Sequence, residues 1–92
     1  MSSMATRTVA IGSTVGLHAR PASLFTQAVV ASGLDVTIAT EGEEAVDASS
    51  ILMVMTLGAG HGDVVTLESD DEGADAVLDD LVALLARNLD EE

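Results

Sequence analysis

The stretch VGLHARPASLF, residues 15–25, decides how the chain is read. It leads from a glycine-containing loop into an apolar helical run through His18, Arg20 and Pro21. Pro21 suits the first turn of a helix, where its missing N–H is not needed. Downstream, Leu24, Phe25, Ala28 and Val29 fall on one side at helical spacing. The spacing predicts a helix over residues 21–32, with Gly33 as its stop. His18 then lies at or just before the N-cap.

Outward from this helix, strand and helix patterns alternate. Residues 6–11 read as a strand with Val9 and Ile11 on one face. Residues 34–40 alternate, with Leu34, Val36 and Ile38 facing one way. Glu41-Gly42 forms a tight turn into a short strand, about residues 43–47. Ser49 or Ser50 can cap a short helix that Gly58 ends. Residues 63–68 are strand-like. Residues 73–89 give the longest helix, with Val77, Leu78, Leu81, Leu85 and Leu89 on one stripe. Asp70, Asp71, Glu72 and Asp75 sit near its start, where the helix dipole favours negative charge. The order strand, helix, strand, strand, helix, strand, helix makes an α+β protein. It is most economically a four-stranded sheet with helices on one face and solvent on the other. We expect one domain over residues 1–92, frayed at 1–5 and 90–92.

Composition narrows the function. The chain has 92 residues, a formal net charge of −13, no cysteine, and Phe25 as its one aromatic residue. All three of its basic residues are arginines. This argues against nucleic acid and against an anionic membrane surface, since little is available to neutralise phosphates. No apolar run approaches the ~20 residues that span a bilayer. No basic region followed by an apolar stretch marks the N-terminus as a secretory signal. With no thiols there is no disulfide framework. The simplest reading is a soluble protein of the cytoplasm. Its acidity answers either a basic partner or a high-salt cytoplasm, where self-repulsion is screened. The absence of lysine and the even spread of Asp and Glu favour high salt, and so a salt-adapted source.

At His18 the chemistry is specific. The free N–H groups of a first helical turn, with the positive end of the dipole, make an anion site. Arg20 adds a fork suited to phosphate oxygens. Gly16 lets the backbone turn tightly beside the imidazole. Imidazole is largely neutral at pH 7 and so can act as a nucleophile. No carboxylate or second histidine stands nearby in sequence as a base. The site is able to receive and release an anion but is not equipped for hydrolysis. Spacing alone does not separate this from a histidine that merely caps a helix.

The segment GLHARPASLFTQA, residues 16–28, resembles the active-site segment of HPr, the histidine phosphocarrier family of the phosphoenolpyruvate-dependent sugar phosphotransferase system. The segment SSILMVMTLGAGHGDVVTL, residues 49–67, is similar to the family's second signature. The element order also fits HPr's open-faced β-sandwich, a four-stranded antiparallel sheet with three helices on one face. The resemblance implies that His18 is phosphorylated at Nδ1 and that Arg20 steadies the phosphoryl group. It implies enzyme I as donor, enzyme IIA domains of sugar permeases as acceptors, a monomer, and a carrier rather than a turnover enzyme. No cofactor or metal is called for. Within the same chemistry, a nitrogen-type or dihydroxyacetone-kinase branch is an alternative to sugar import. A non-phosphorylated interaction module binding through residues 50–57 is the alternative of a different class.

Ile51, Leu52, Met53, Val54, Met55 and Leu57 leave the short helix apolar nearly all round. That is more than a helix lying on a sheet needs, and it predicts a docking patch at Ile51, Leu52, Met53 and Met55. Ser50 matches the serine that a dedicated kinase phosphorylates in some HPr branches. Met53 stands where those proteins often have glycine, and Ser49 where many have lysine, so we read Ser50 as a helix cap. His61 is a loop histidine without a role. Residues 68–79 superficially resemble a calcium loop but follow a strand and carry the wrong residues at their eighth and last places.

Overall fold

The computed structural model describes residues 4–87. Its elements are β1 (Ala5–Ala10), α1 (Ala19–Ser32), β2 (Thr37–Thr40), β3 (Val46–Asp47), α2 (Ile51–Thr56), β4 (Val64–Ser69) and α3 (Ala74–Ala86). The strands form one antiparallel sheet in the order β1-β4-β2-β3. This is the open-faced α+β sandwich expected from the element order.

The period-2 patterns become cross-strand rows. Leu67 pairs with Arg7 on one side and with Ile38 on the other, and Ile38 pairs with Val46. Val65 lies between Val9 and Thr40. Val65, Leu67 and Ile38 are fully buried under the helices. The alternate rows, Thr6-Glu68-Thr37 and Thr8-Thr66-Ala39, form the other face. Its residues are small or polar, which suits a face left to water.

The apolar stripes of α1 and α3 close the core. Phe25, Val29 and Ala22 of α1 are buried, as are Leu78, Leu81 and Leu85 of α3. Each large aliphatic group removed from water contributes about 1.5–3 kcal/mol, so a core almost without aromatics is sufficient. Arg7 fixes α3 against the edge strand. It donates to Asp79 Oδ1 at 2.8 Å and to Asp75 Oδ1 at 3.1 Å, two carboxylates one helical turn apart. A charged side chain on an edge strand also discourages pairing with another sheet.

Several boundaries differ from the sequence expectation. Helix α1 begins two residues before Pro21, because proline is tolerated throughout a first turn. Strand β2 starts at Thr37 rather than at residue 34, although Val36 still accepts a hydrogen bond from Ala48 N–H at 3.0 Å. Strand β3 has two residues, because Glu43, Glu44 and Ala45 are exposed and lie outside the β2–β3 ladder, with Glu43 N–H donating to Thr40 O across the turn. Strand β1 takes in Ala5, expected to be frayed. Helix α3 begins after Gly73, its N-cap. Leu89 and the expected frayed residues 1–3 and 90–92 lie outside the described residues.

The loop from β1 to α1 crosses the end of α3. Gly12 N–H donates to Leu85 O at 2.9 Å, and a Cβ on Gly12 would stand 2.1 Å from Ala86 O. Backbone cannot yield as a side-chain tip can. Gly12→Ala should therefore cost about 1–3 kcal/mol of unfolding free energy. Gly60→Ala is the control: its nearest neighbour is Asp63 Oδ2 at an ordinary 3.6 Å. It should stay within about 0.5 kcal/mol of wild type. Urea denaturation of both variants checks the difference.

Candidate functional site

His18 is the N-cap of α1, with φ −129° and ψ 160°. An N-cap side chain ordinarily accepts from the N–H of the second or third helical residue. Here the third is Pro21, which has none, and the His18 side chain makes no cap hydrogen bond. Both His18 and Arg20 are exposed. The imidazole is therefore not consumed as a cap. It stands in solvent at the positive end of a 14-residue helix, two residues from a guanidinium. The N–H groups of Ala19 and Arg20, in the first turn, have no acceptor within the helix. Arg20 makes no ion pair with a described residue.

The backbone beside His18 is held in an uncommon conformation. Ala19 has φ +48°, the one positive φ outside glycine among the described residues. The left-handed region costs an L-residue roughly 1–2 kcal/mol. The loop before it supplies the hold. Leu17 N–H donates to Ala59 O at 2.9 Å, and Gly16 packs so closely that a Cβ there would lie 2.4 Å from the same oxygen. Ile11 N–H donates to Asp63 O at 2.9 Å, and Gly62 N–H returns a bond to Ile11 O at 2.8 Å. The backbone on the N-terminal side of His18 is thus tied to residues 59–63. Nothing in the local pattern of GLHARP reveals this.

The second predicted feature lies beside the first. Ser50 caps α2, its Oγ accepting from Met53 N–H at 3.4 Å. Ahead of it, Asp47 Oδ1 accepts from the Ser49 hydroxyl at 2.7 Å and from Ser49 N–H at 2.9 Å. These bonds, the hydroxyl's first, hold the Asp47 carboxyl below its usual pKa. Within α2 only Val54 is buried. Ile51, Leu52, Met53 and Met55 are all exposed, Leu52 by 73 %. Val30 of α1, 63 % exposed, extends the patch beyond the residues singled out from sequence. A groove of about 320 Å³ between the helices is lined by Val30, Ala31, Ser49 and Ile51 among others. Ile51 thus neighbours the C-terminal half of α1, while Ala59, just past α2, holds Leu17 before its N-terminus. The two helices run antiparallel, and the end of α2 comes to the His18 loop.

A larger groove, about 560 Å³, lies under the β2–β3 turn and takes in Glu41, Glu43, Glu44 and Asp63, but neither His18 nor Arg20. The histidine is on open surface, where a protein can reach it. His61 is also exposed, in the turn that follows Ala59.

The family model described as "PTS HPr component phosphorylation site" matches residues 5–87. The phosphocarrier protein HPr of Streptomyces coelicolor is 49 % identical over 88 residues, 96 % of this chain and 95 % of that protein. The HPr of Haloferax volcanii is 40 % identical over 81 residues, 87 % of this chain and 91 % of that protein. Among solved structures, HPr-C-His from Thermoanaerobacter tengcongensis superposes with a TM-score of 0.86 at 32 % identity, over 96 % of this chain and 98 % of that one. HPr from Bacillus anthracis gives 0.84 at 32 % identity, over 90 % and 98 %.

The strain at Ala19 has a measurable signature. Ala19→Gly relieves about 1 kcal/mol of steric cost and adds a similar backbone-entropy penalty, so stability should change by less than about 0.5 kcal/mol. The same replacement at Ala28, inside α1, should lose about 1 kcal/mol. Thermal or urea unfolding of the two variants tests the contrast.

Proposed function

The chain belongs to the HPr family of phosphotransferase-system phosphocarriers, and from that premise we propose that His18 carries the phosphoryl group. His18 takes it from phospho-enzyme I, charged by phosphoenolpyruvate, and gives it to enzyme IIA domains serving sugar uptake. The observation that carries the proposal is the uncapped, exposed His18 imidazole at the positive end of α1, with Arg20 two residues on.

The chemistry needs little else. The lone pair of Nδ1 attacks phosphorus, a new N–P bond forms, and the bond to the donor breaks. The attacking nitrogen has no proton to lose when the ring proton sits on Nε2, so no general base is required. The phosphoryl oxygens then face Arg20 and the first-turn N–H groups, which favour negative charge there. Delivery to the acceptor is the same step reversed. Ile51, Leu52, Met53 and Met55 form the docking patch for both partners, with methionines that adapt to different surfaces. Ser50 acts as the cap of α2, and no phosphorylation there is needed for the cycle. The protein works as a single domain in the cytoplasm.

The net charge of −13 supports one further element of the proposal, adaptation to high salt. Mutual repulsion of so many carboxylates is relieved as the screening length falls to about 3 Å at 1 M salt. The melting temperature should rise between 0.1 M and 2 M KCl, and a flat profile would contradict salt adaptation.

Phosphoryl uptake is read by intact mass after incubation with phosphoenolpyruvate, magnesium and enzyme I from the same cell. Wild type should gain one acid-labile phosphate and His18→Ala none. Arg20→Ala should still be phosphorylated, but about 10²-fold more slowly, the usual cost of losing one charge-stabilising donor. No phosphate on folded wild type, with an active enzyme I, would overturn the carrier reading and favour a binding module acting through α2.

A further inference from the structure

Asp63 lies in the loop before β4, far in sequence from His18, yet the hydrogen bonds lead to it. Its Oδ2 accepts from Gly60 N–H at 2.8 Å, and its own N–H donates to Gly60 O at 3.0 Å. The turn of residues 60–63 is thus closed twice, once by main chain and once by the carboxylate. Both sides of this turn hold the His18 loop. Asp63 O takes the Ile11 N–H at the loop's start, and Ala59 O, one residue before Gly60, takes the Leu17 N–H at its end. Gly16 lies so close that a Cβ would meet Ala59 O at 2.4 Å and Gly60 Cα at 2.7 Å. Any opening of the turn is therefore felt by Gly16 and Leu17, and through them by His18 and the strained Ala19.

We infer that Asp63 is a positioning residue for His18: its carboxylate locks the 60–63 turn, which fixes Leu17 and so aims the imidazole. This rests on His18 being the phosphoryl carrier. It acts through the hydrogen bond and not through charge. A negative charge near the site would by itself oppose an incoming phosphoryl group, so the two roles have opposite signs. Misplacing a reacting group by about 1 Å can cost up to 10²-fold in rate. Docking depends on Ile51, Leu52, Met53 and Met55 of α2, none of which is a hydrogen-bond partner of Asp63, so the loss should fall on kcat and not on KM.

The test compares Asp63→Ala with Asp63→Asn as substrates of phospho-enzyme I, together with hydrogen exchange at the Leu17 amide. Asparagine keeps an acceptor for Gly60 N–H and removes the charge; alanine removes both. Asp63→Ala should lower kcat about tenfold at unchanged KM, and Leu17 exchange should quicken. Asp63→Asn should restore both to near wild type. If alanine does not fold, Asp63→Gln, whose acceptor is displaced by one methylene, takes its place with the same expectation. Equal behaviour of the alanine and asparagine variants would overturn the inference, and so would faster transfer on losing the charge, or a Leu17 amide unchanged in the alanine variant. Failure of wild type to take up phosphate would instead strike at the carrier reading, while Leu17 exchange still reports whether Asp63 holds the loop.

Discussion

The constraint on which the site depends is the satisfaction of backbone groups between β1 and α1. A loop that crosses one end of a small sandwich must find partners for its amides, because a buried N–H left without one is costly. Here the partners come from three places distant in sequence. Ile11 finds Asp63 O, Gly12 finds Leu85 O and Leu17 finds Ala59 O. Each bond needs the backbones to approach closely, and Gly12 and Gly16 stand where no Cβ would fit. The end of α3, the turn before β4 and the loop ahead of α1 therefore form one unit. His18 is the next residue along, so main-chain bonds hold the backbone that leads into it, while its side chain makes no cap hydrogen bond.

That arrangement explains how an exposed histidine can still be well placed. Its side chain is free of cap duty because Pro21 removes one of the amides it would have capped. The left-handed Ala19 is tolerated because Leu17 on one side and the packed helix on the other leave the chain little choice. Helix α1 in turn is anchored by Phe25 and Val29 in the core. The sheet contributes by lying elsewhere: its helix-covered face builds the core, and its threonine-rich face leaves the site at the end of the sandwich unobstructed.

Much of this was readable from residue patterns, and the rest failed for definable reasons. The stripes of α1 and α3 repeat at helical spacing and were legible, as was the apolar excess of α2, which the structure leaves exposed. The start of α1 was set two residues late because Pro21, tolerated throughout a first turn, stands third in the helix rather than first. Strand β3 was overestimated because Glu43 and Glu44 carry no alternation, so only pairing could show where it begins. Val30 reads as one more apolar position on α1, and its place beside α2 depends on how the helices pack. The roles of Arg7 and Asp63 were invisible, since each acts through partners brought close only by the fold. Asp63 in particular reads as the first residue of a strand.

An acidic protein that binds and releases an anion presents an apparent conflict, and the resolution is one of range. At physiological ionic strength charges beyond about 8 Å are largely screened, and in stronger salt the range shortens further. Among the described residues, Asp70, Glu72, Asp75, Asp79 and Asp80 lie on and ahead of α3, and Glu41, Glu43 and Glu44 lie at the β2–β3 turn. In the segment around His18 the charged neighbour is Arg20, and the positive end of α1 stands beside it. Short-range terms survive screening and long-range repulsion does not. A chain can therefore carry many surface carboxylates without losing an anion site, provided the few residues around that site keep their local field.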